Sequence, residues 1–551
     1  MAKNTRLPLF DDGKNGNYVA DSYTGIYAMH KYWSKKPYNI IRNFIEQYTS
    51  PGDVVLDPFC GSGVSIIESV VGDRKAIGID INPAAIFITR QALQLAPVDQ
   101  LKIAFESIQQ SIQSRINSFY HIERDGKTLQ GTHYLWQDEK LVELWGFDEA
   151  GKKQVLSPTE SDIRLSESFV REDIKDFYPQ DVFFHNGRIN ADSRMSIADL
   201  FTSRNLAALS LIMAEIEKVE NSVIRDLLRF CFTSSVGQAS KMVFVIKRRG
   251  KMDNTAARER KEVGSWVIGY WRPKEYFEIN AWNCFENKFK KVLRAKKGQQ
   301  ESGREQRETS QVTELLSTGA NTLLMNLPAQ IGLKNIPNDS VDYIITDPPH
   351  GNRIPYLELS MMWNSWLKNT VDYENEIIVS DAKARKKDIH DYNALLNDVF
   401  EEIYRVLKPG RHFSLMFNSL DDHTWINVIS KLYGISLVLE KVETLNYSSN
   451  SVVQDTRTGA LKSDFIITFS KSSERKHQEL KILTLDSDGE ELRAGVSKVL
   501  NDEHLDVTEQ YQVLNHVFRF FLNQNKFFKI SEIIGILGTS LNKTLVATSA
   551  N

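Results

Sequence analysis

Apolar positions recur along this chain in two periods, and the changes of period mark its parts. Residues 39–48 carry Ile40, Ile41, Phe44 and Ile45 on one stripe, which predicts a helix. Ser50-Pro51-Gly52-Asp53 reads as a turn. The unbroken run Val54-Val55-Leu56 predicts a buried strand, residues 64–71 a helix, and residues 75–79 a second strand ending at Asp80. Together these make a βαβ unit. Residues 101–119 predict a long amphipathic helix. The Tyr-, Trp- and Asp-rich stretch that follows, to residue 168, reads as irregular, and residues 201–245 read as helical. Residues 296–310 are nearly all Lys, Gln, Glu, Arg, Gly and Ser, and predict a solvated linker or mobile loop. The βα rhythm resumes near residue 318. It passes through a strand at 341–346, a helix ending near Leu407, a strand at 412–417 and a hairpin-like segment at 459–470. From Arg475 the pattern is mainly helical, with Val513, Leu514, Val517, Phe518 and Phe521 on one stripe.

These periods divide the chain. Residues 1–24 form a polar arm, and residues 25–100 the first part of an α/β domain. Residues 101–200 are an irregular insertion, and residues 201–317 a helical and basic one that is the candidate for target recognition. Residues 318–474 complete the α/β domain, and residues 475–551 are a C-terminal helical module. A chain of 551 residues needs several such units, because one core stops growing well before that length.

Composition changes this picture little. With 41% hydrophobic and 25% charged residues the chain reads as a globular protein. No apolar run reaches membrane-spanning length. No apolar stretch follows the first six residues, so no signal peptide is expected. Cys60, Cys231 and Cys284 are too few and too scattered for a disulfide framework or a four-thiolate zinc site, so no metal is expected. A cytoplasmic location is the simplest expectation. The formal net charge of -3 excludes a nucleic-acid coat. It does not exclude a local basic face, and Lys247-Arg248-Arg249-Gly250-Lys251 with Arg258, Arg260 and Lys261 offers one.

Two strings carry chemistry. Asp57-Pro58-Phe59-Cys60-Gly61-Ser62-Gly63 follows the first strand. Its glycines allow a tight turn and a close ligand approach, and the next helix opens with free amides. Asp80, at the end of the second strand, stands where this topology offers a carboxylate to ribose hydroxyls. Asp347-Pro348-Pro349-His350 follows the strand at 341–346. An exocyclic base amine is a poor nucleophile, because its lone pair is delocalised into the ring. The Asp347 side chain and the Pro348 carbonyl can accept its hydrogens, and Pro349 stiffens the turn that positions them.

Together these strings resemble the amino-methyltransferases that methylate a base nitrogen. The resemblance implies a Rossmann-like methyltransferase sheet split by a large insertion, with S-adenosylmethionine as cofactor. It extends to His30-Lys31-Tyr32-Trp33-Ser34-Lys35-Lys36-Pro37, where His30, Lys35 and Pro37 match a segment that closes over the methionine end of the cofactor. Asp57, Pro58, Phe59, Gly61, Gly63, Asp80 and Asn82 complete the implied cofactor set. Gly351 with Tyr356-Leu357-Glu358 and Trp363-Asn364-Ser365-Trp366-Leu367 resembles one DNA-acting subgroup, and makes Tyr356 a substrate contact. In that family an aromatic residue usually follows the prolines and stacks on the target base; here His350 is expected to stack in its place, or to meet a base edge when protonated. Relatives often carry zinc-binding cysteines in the 120–165 stretch, and this chain has none there.

Lys241, Arg248 and Arg249 are the expected phosphate track. Asn280 and Trp282, within Glu278-Ile279-Asn280-Ala281-Trp282, are expected to wall a substrate pocket. Lys383-Ala384-Arg385-Lys386-Lys387 is a second phosphate candidate. The resulting expectation is a methyltransferase acting on double-stranded DNA, adenine N6 ahead of cytosine N4. Its setting would be restriction-modification or phage defence, with a partner protein there. Two rivals stand beside it: an RNA base methyltransferase, and a catalytically weak methyltransferase-fold protein that binds nucleic acid.

Overall fold

The computed structural model describes residues 17–148, 150–248, 260–266, 269–301, 306–419, 421–446, 464–472, 479–503 and 510–538. Among the described residues nine strands form the main sheet. From one edge they run Glu308–Thr309, Thr322–Met325, Lys75–Ile79, Val54–Asp57, Val341–Thr346, Leu407–Phe417, Asp464–Lys471, Leu437–Asn446 and Asn17–Val19. Neighbours are parallel except around Asp464–Lys471, which is antiparallel to both of its neighbours.

Both faces are covered, which is why the central strands read as unbroken apolar runs. Val55, Tyr343 and Ile345 face the helix Tyr38–Tyr48, meeting Ile40, Ile41, Phe44 and Ile45. Val54, Leu56 and Ile344 point the other way, into a core shared with the helix Ile389–Val406. That core continues into the C-terminal residues. Phe518, on the helix Gln510–Leu522, stacks on Phe465 at 5.0 Å and meets Trp425 at 5.5 Å. The C-terminal part also holds a two-stranded parallel sheet, Lys481–Leu483 with Lys526–Phe528.

The chain leaves the sheet after the helix Pro83–Leu93 and returns at Glu308. Between them lie the helices Val98–Ser118, Ser203–Glu217, Ser222–Val236 and Ala281–Glu301, and an antiparallel sheet. This corrects two expectations. Residues 121–156 are not irregular but hold four strands of that sheet. Asp125 and Gly126, both at positive φ, make the tight turn between the first two, and Asp138 and Glu139 the next one. Residues 296–301 are not a linker but the last turns of a helix. Lys296 there is buried, and its ammonium donates to the carbonyls of Ala92 and Gln94 at 3.0 and 2.7 Å.

The strand order reverses between Val54–Asp57 and Val341–Thr346. Ligands of doubly wound sheets bind outside the carboxyl ends of strands at such a switch point. Those two carboxyl ends are where the glycine turn and the Asp-Pro-Pro turn begin.

Candidate active site

A cleft opens at the switch point. Asp57 to Ser62 of the glycine turn, Asp80, Asp347, Pro349, Tyr356, Glu376 and the segment from Tyr32 to Lys36 line it. Gly61 and Gly63 hold φ of 50° and 76°, in the left-handed region. A Cβ on Gly63 would sit 2.3 Å from Thr89 Cγ2, so the turn closes only around glycine there. Asp57 Oδ1 accepts from the Phe59 amide at 3.0 Å and from Thr346 Oγ1 at 2.6 Å, and Oδ2 accepts from Ser65 Oγ. The Thr346 bond ties the first turn directly to the residue before Asp347. Burial raises the Asp57 carboxyl to about 6, against the pull of those hydrogen bonds.

Asp80 accepts from the amides of Gly61 and Asn82, each at 2.8 Å. Burial raises its carboxyl to about 7, again against those bonds. Two amides leave a carboxylate with further lone pairs, and Asp80 lines the cleft. Asn82 also lines it, but its side chain is committed elsewhere. Its Oδ1 caps the helix Pro83–Leu93 through the Ala84 amide, and its Nδ2 donates to Ser360 Oγ at 2.7 Å.

At the second turn, Lys36 Nζ lies 3.0 Å from Asp347 Oδ2 and 2.7 Å from Asp464 Oδ2. Burial alone would raise the Asp464 carboxyl. Lys36 and Arg353 outweigh it and hold that carboxyl well below the usual range. Neither Lys36 nor Asp464 was among the expected site residues. His350 Nε2 lies 3.0 Å from Asp347 Oδ1, and Arg353 Nη1 lies 3.2 Å from His350 Nδ1. The His350 ring is edge-on to Phe417 at 5.2 Å, and its side chain is only 6% exposed. It does not line the cleft. The expectation that His350 offers a stacking face to a base is therefore corrected: packing on Phe417 and polar contacts to Asp347 and Arg353 occupy the ring. Pro348 is buried, and the Pro349 carbonyl accepts from Tyr392 Oη at 2.5 Å, which anchors the turn from the helix Ile389–Val406.

The segment from His30 to Pro37 divides. Lys35 lines the cleft, and its ammonium donates to the Tyr27 and His30 carbonyls at 2.9 and 3.2 Å. Burial, with Lys291 nearby, lowers it to about 8. His30 is a correction. It is buried behind the segment, between Thr233 (3.2 Å) and the edge of Trp363 (4.8 Å), and burial lowers it to about 3. Pro37 lies outside the cleft lining as the N-cap residue of the helix Tyr38–Tyr48. Tyr32 runs nearly parallel to Tyr356 at 6.1 Å and to Trp363 at 6.4 Å, which fastens this wall to the helix Met361–Trp366. Tyr356 joins Asp347 in the cleft, while Glu358 is buried against Asn186, Ser380 and Arg385.

Of the expected contacts in the insertion, Lys241, Asn280 and Trp282 are not brought to the cleft. Asn280 is fully buried and caps the helix Ala281–Glu301 through the Trp282 amide at 3.0 Å. Trp282 is fully buried against Phe105 and Phe285. Their neighbour Glu278 is paired with buried Arg204. Lys241 sits 3.5 Å from Glu139 on the inserted sheet. Arg249 and Arg258 lie outside the described residues, as do the Arg248 and Arg260 side chains. Arg385 is buried between Glu358 and Glu376, not free for phosphate.

Fold and cleft thus define a doubly wound α/β domain with a cleft at its switch point, lined by Asp80 and Asp347. A family model described as DNA methylase, of the N6/N4 methyltransferase type, matches residues 11–91. Type II methyltransferase M.MjaII of Methanocaldococcus jannaschii is 30% identical over 77 residues, 14% of this chain and 14% of its own. Type II methyltransferase M.Cfr9I of Citrobacter freundii is 40% identical over 68 residues, 12% of this chain and 23% of its own. DNA adenine methyltransferase YhdJ of Escherichia coli is 36% identical over 79 residues, 14% of this chain and 25% of its own. The matched segments thus span a quarter or less of these relatives' own length. Among solved structures, the putative DNA modification methylase TTHA0409 of Thermus thermophilus, complexed with S-adenosyl-L-methionine, is 13% identical at a TM-score of 0.16, over 31% of this chain and 59% of its own. The latter similarity is too slight to bear on the fold. No helix among the described residues is long and apolar enough to cross a membrane.

Proposed function

We propose that this protein transfers a methyl group from S-adenosylmethionine to the exocyclic amine of a base in double-stranded DNA. One observation carries the reading: Thr346 Oγ1 bonds Asp57, so the cofactor turn and the acceptor turn are built as one unit at the switch point. The similarity of residues 11–91 to DNA methylases supports it.

The cleft fits the cofactor on its own chemistry. Asp80 has a half-buried carboxylate with unused acceptor capacity, suited to ribose hydroxyls, Gly61 keeps a side chain out of the cleft, and Gly63 lets the turn close against Thr89. Asp57, Pro58, Phe59 and Lys35 complete the surround. Bound S-adenosylmethionine supplies an electrophilic methyl group. The chain's own part is positioning. Asp347 and the Pro348 carbonyl accept the two amine hydrogens and localise the nitrogen lone pair. Lys36, held also by Asp464, shares Asp347 Oδ2 until the amine arrives. Tyr356 offers the aromatic wall beside Asp347 to a base turned out of the helix. Adenine N6 stands ahead of cytosine N4 on the Asp that opens the turn, and the Type II names of the relatives support a restriction-modification or defence setting, with a partner protein. Incubation with labelled S-adenosylmethionine and either DNA or tRNA tests the reading. Label in DNA supports it; label in tRNA alone, or in neither, contradicts it.

A further inference from the structure

A guanidinium has donors and no acceptor. Arg353 Nη1 lies 3.2 Å from His350 Nδ1, so Nδ1 is the lone-pair nitrogen and the ring proton sits on Nε2. Nε2 faces Asp347 Oδ1 at 3.0 Å. Both atoms are buried, and neither has a hydrogen-bond partner among the described residues. The 3.0 Å contact does not meet hydrogen-bond geometry, so the two are adjacent without being aligned. Each is the polar group the other lacks. The remaining oxygen of Asp347 is held by Lys36. Arg353 is itself anchored, 3.7 Å from Asp464 Oδ1 and bonded through its amide to the His350 carbonyl at 3.1 Å.

We propose that Arg353 and His350 form a relay that orients the acceptor carboxylate of Asp347: Arg353 fixes the imidazole tautomer, and the Nε2–H holds Oδ1. The carboxylate then keeps one orientation when an amine competes for Oδ2. His350 is a positioning residue here, not the base-stacking wall that its place in the turn suggested. This inference rests on the methyl-transfer reading for its kinetic test and on the imidazole alone for its spectroscopic one.

Substitution separates donor from ring. Glutamine carries an amide donor at about the reach of Nε2 but no ring; phenylalanine keeps a ring and has no donor. The assay uses the full chain, labelled S-adenosylmethionine and unmethylated double-stranded DNA of mixed sequence. His350→Gln is expected to keep kcat within about threefold of the parent, and His350→Phe to lose about 30-fold or more at unchanged KM for DNA. S-adenosylhomocysteine affinity stays unchanged in both. His350→Asn, whose amide is too short to reach Oδ1, replaces the phenylalanine variant if that protein does not fold. Full activity in the Phe variant with loss in the Gln variant would overturn the relay in favour of stacking. Equal activity in all would overturn any role. A parent that methylates no DNA refutes the function reading, and the relay is then judged by 15N spectra of histidine-labelled protein. The resonance missing from His350→Gln reports the tautomer: a proton on Nε2 supports the relay, and one on Nδ1 overturns it.

Discussion

At the glycine turn two carboxylates, buried Asp57 and half-buried Asp80, have no cation beside them among the described residues. Amides and hydroxyls satisfy them, nearly all from the same βαβ unit, and burial raises both. At the Asp-Pro-Pro turn Asp347 and Asp464 share Lys36, with His350 and Arg353 close by. The first arrangement is local and electrically open, with a carboxylate that gains from hydroxyl donors. The second is assembled from three distant parts of the chain and is already matched in charge. A cofactor site and an acceptor site ask for that difference: one waits for hydrogen-bond donors, the other must hold a carboxylate in one orientation.

The comparison breaks first at Asp347. Asp347→Ala is expected to lower methyl transfer about 10³-fold, the scale of a positioned acid–base group, while S-adenosylhomocysteine binding by calorimetry stays within about threefold of the parent. Full activity in that variant would end the proposed mechanism.

Lys36→Met removes the cation that two carboxylates share. Removing one partner of a buried pair costs about 3 kcal/mol, read as a lower urea midpoint at an unchanged slope. The acid limb shifts too. Asp464 is held below its ordinary range, so its stabilising contribution is present above the unfolded carboxylate pKa of about 3.9 and is lost as pH falls below it. Without Lys36 that contribution shrinks, and the variant gains less stability between pH 3 and 5 than the parent does.

Asp80 sharpens the contrast with the opposite sign. Its carboxyl is raised to about 7 in the free protein, and ribose hydroxyls favour the ionised form. S-adenosylhomocysteine binding is therefore expected to release protons and to strengthen about tenfold between pH 6 and 8. Asp80→Asn removes this pH dependence and weakens binding about tenfold, as the loss of a charged acceptor does. A flat pH profile in the parent would remove Asp80 from the cofactor site.

The smallest effect belongs to Asn280. If it only caps a helix, Asn280→Ala costs about 1 kcal/mol of stability, with kcat and KM for DNA unchanged. A raised KM would return it to the substrate pocket.

What the sequence made legible follows the same division. The helix Val64–Val71 and the strands Val54–Asp57 and Lys75–Ile79 lie where period and glycine spacing put them, because their hydrogen bonds close within a few residues. Lys36 stood inside the segment that was singled out and went unread, because its partners are at 347 and 464. Asp464 belongs to no motif. His350 was read by its place in the turn, and only Phe417 and Arg353 show that its ring is occupied. Other misses had usable signals. Phe285, Phe289, Val292 and Lys296 recur at helical spacing, which places Lys296 on a buried stripe rather than in a linker, and Trp282 extends that stripe. Asp125-Gly126 is a hairpin signal in the stretch read as irregular.

The proposed role of Asp347, presenting a base amine to a methyl donor held in the cleft, is decided by incubating parent and Asp347→Ala with labelled S-adenosylmethionine and unmethylated DNA, digesting to nucleosides and locating the methyl group by mass spectrometry. The expected result is methyl on an exocyclic amine, adenine N6 first, in the parent and none above background in the variant. Methyl on a ring carbon or ring nitrogen, or equal label from both proteins, would contradict it.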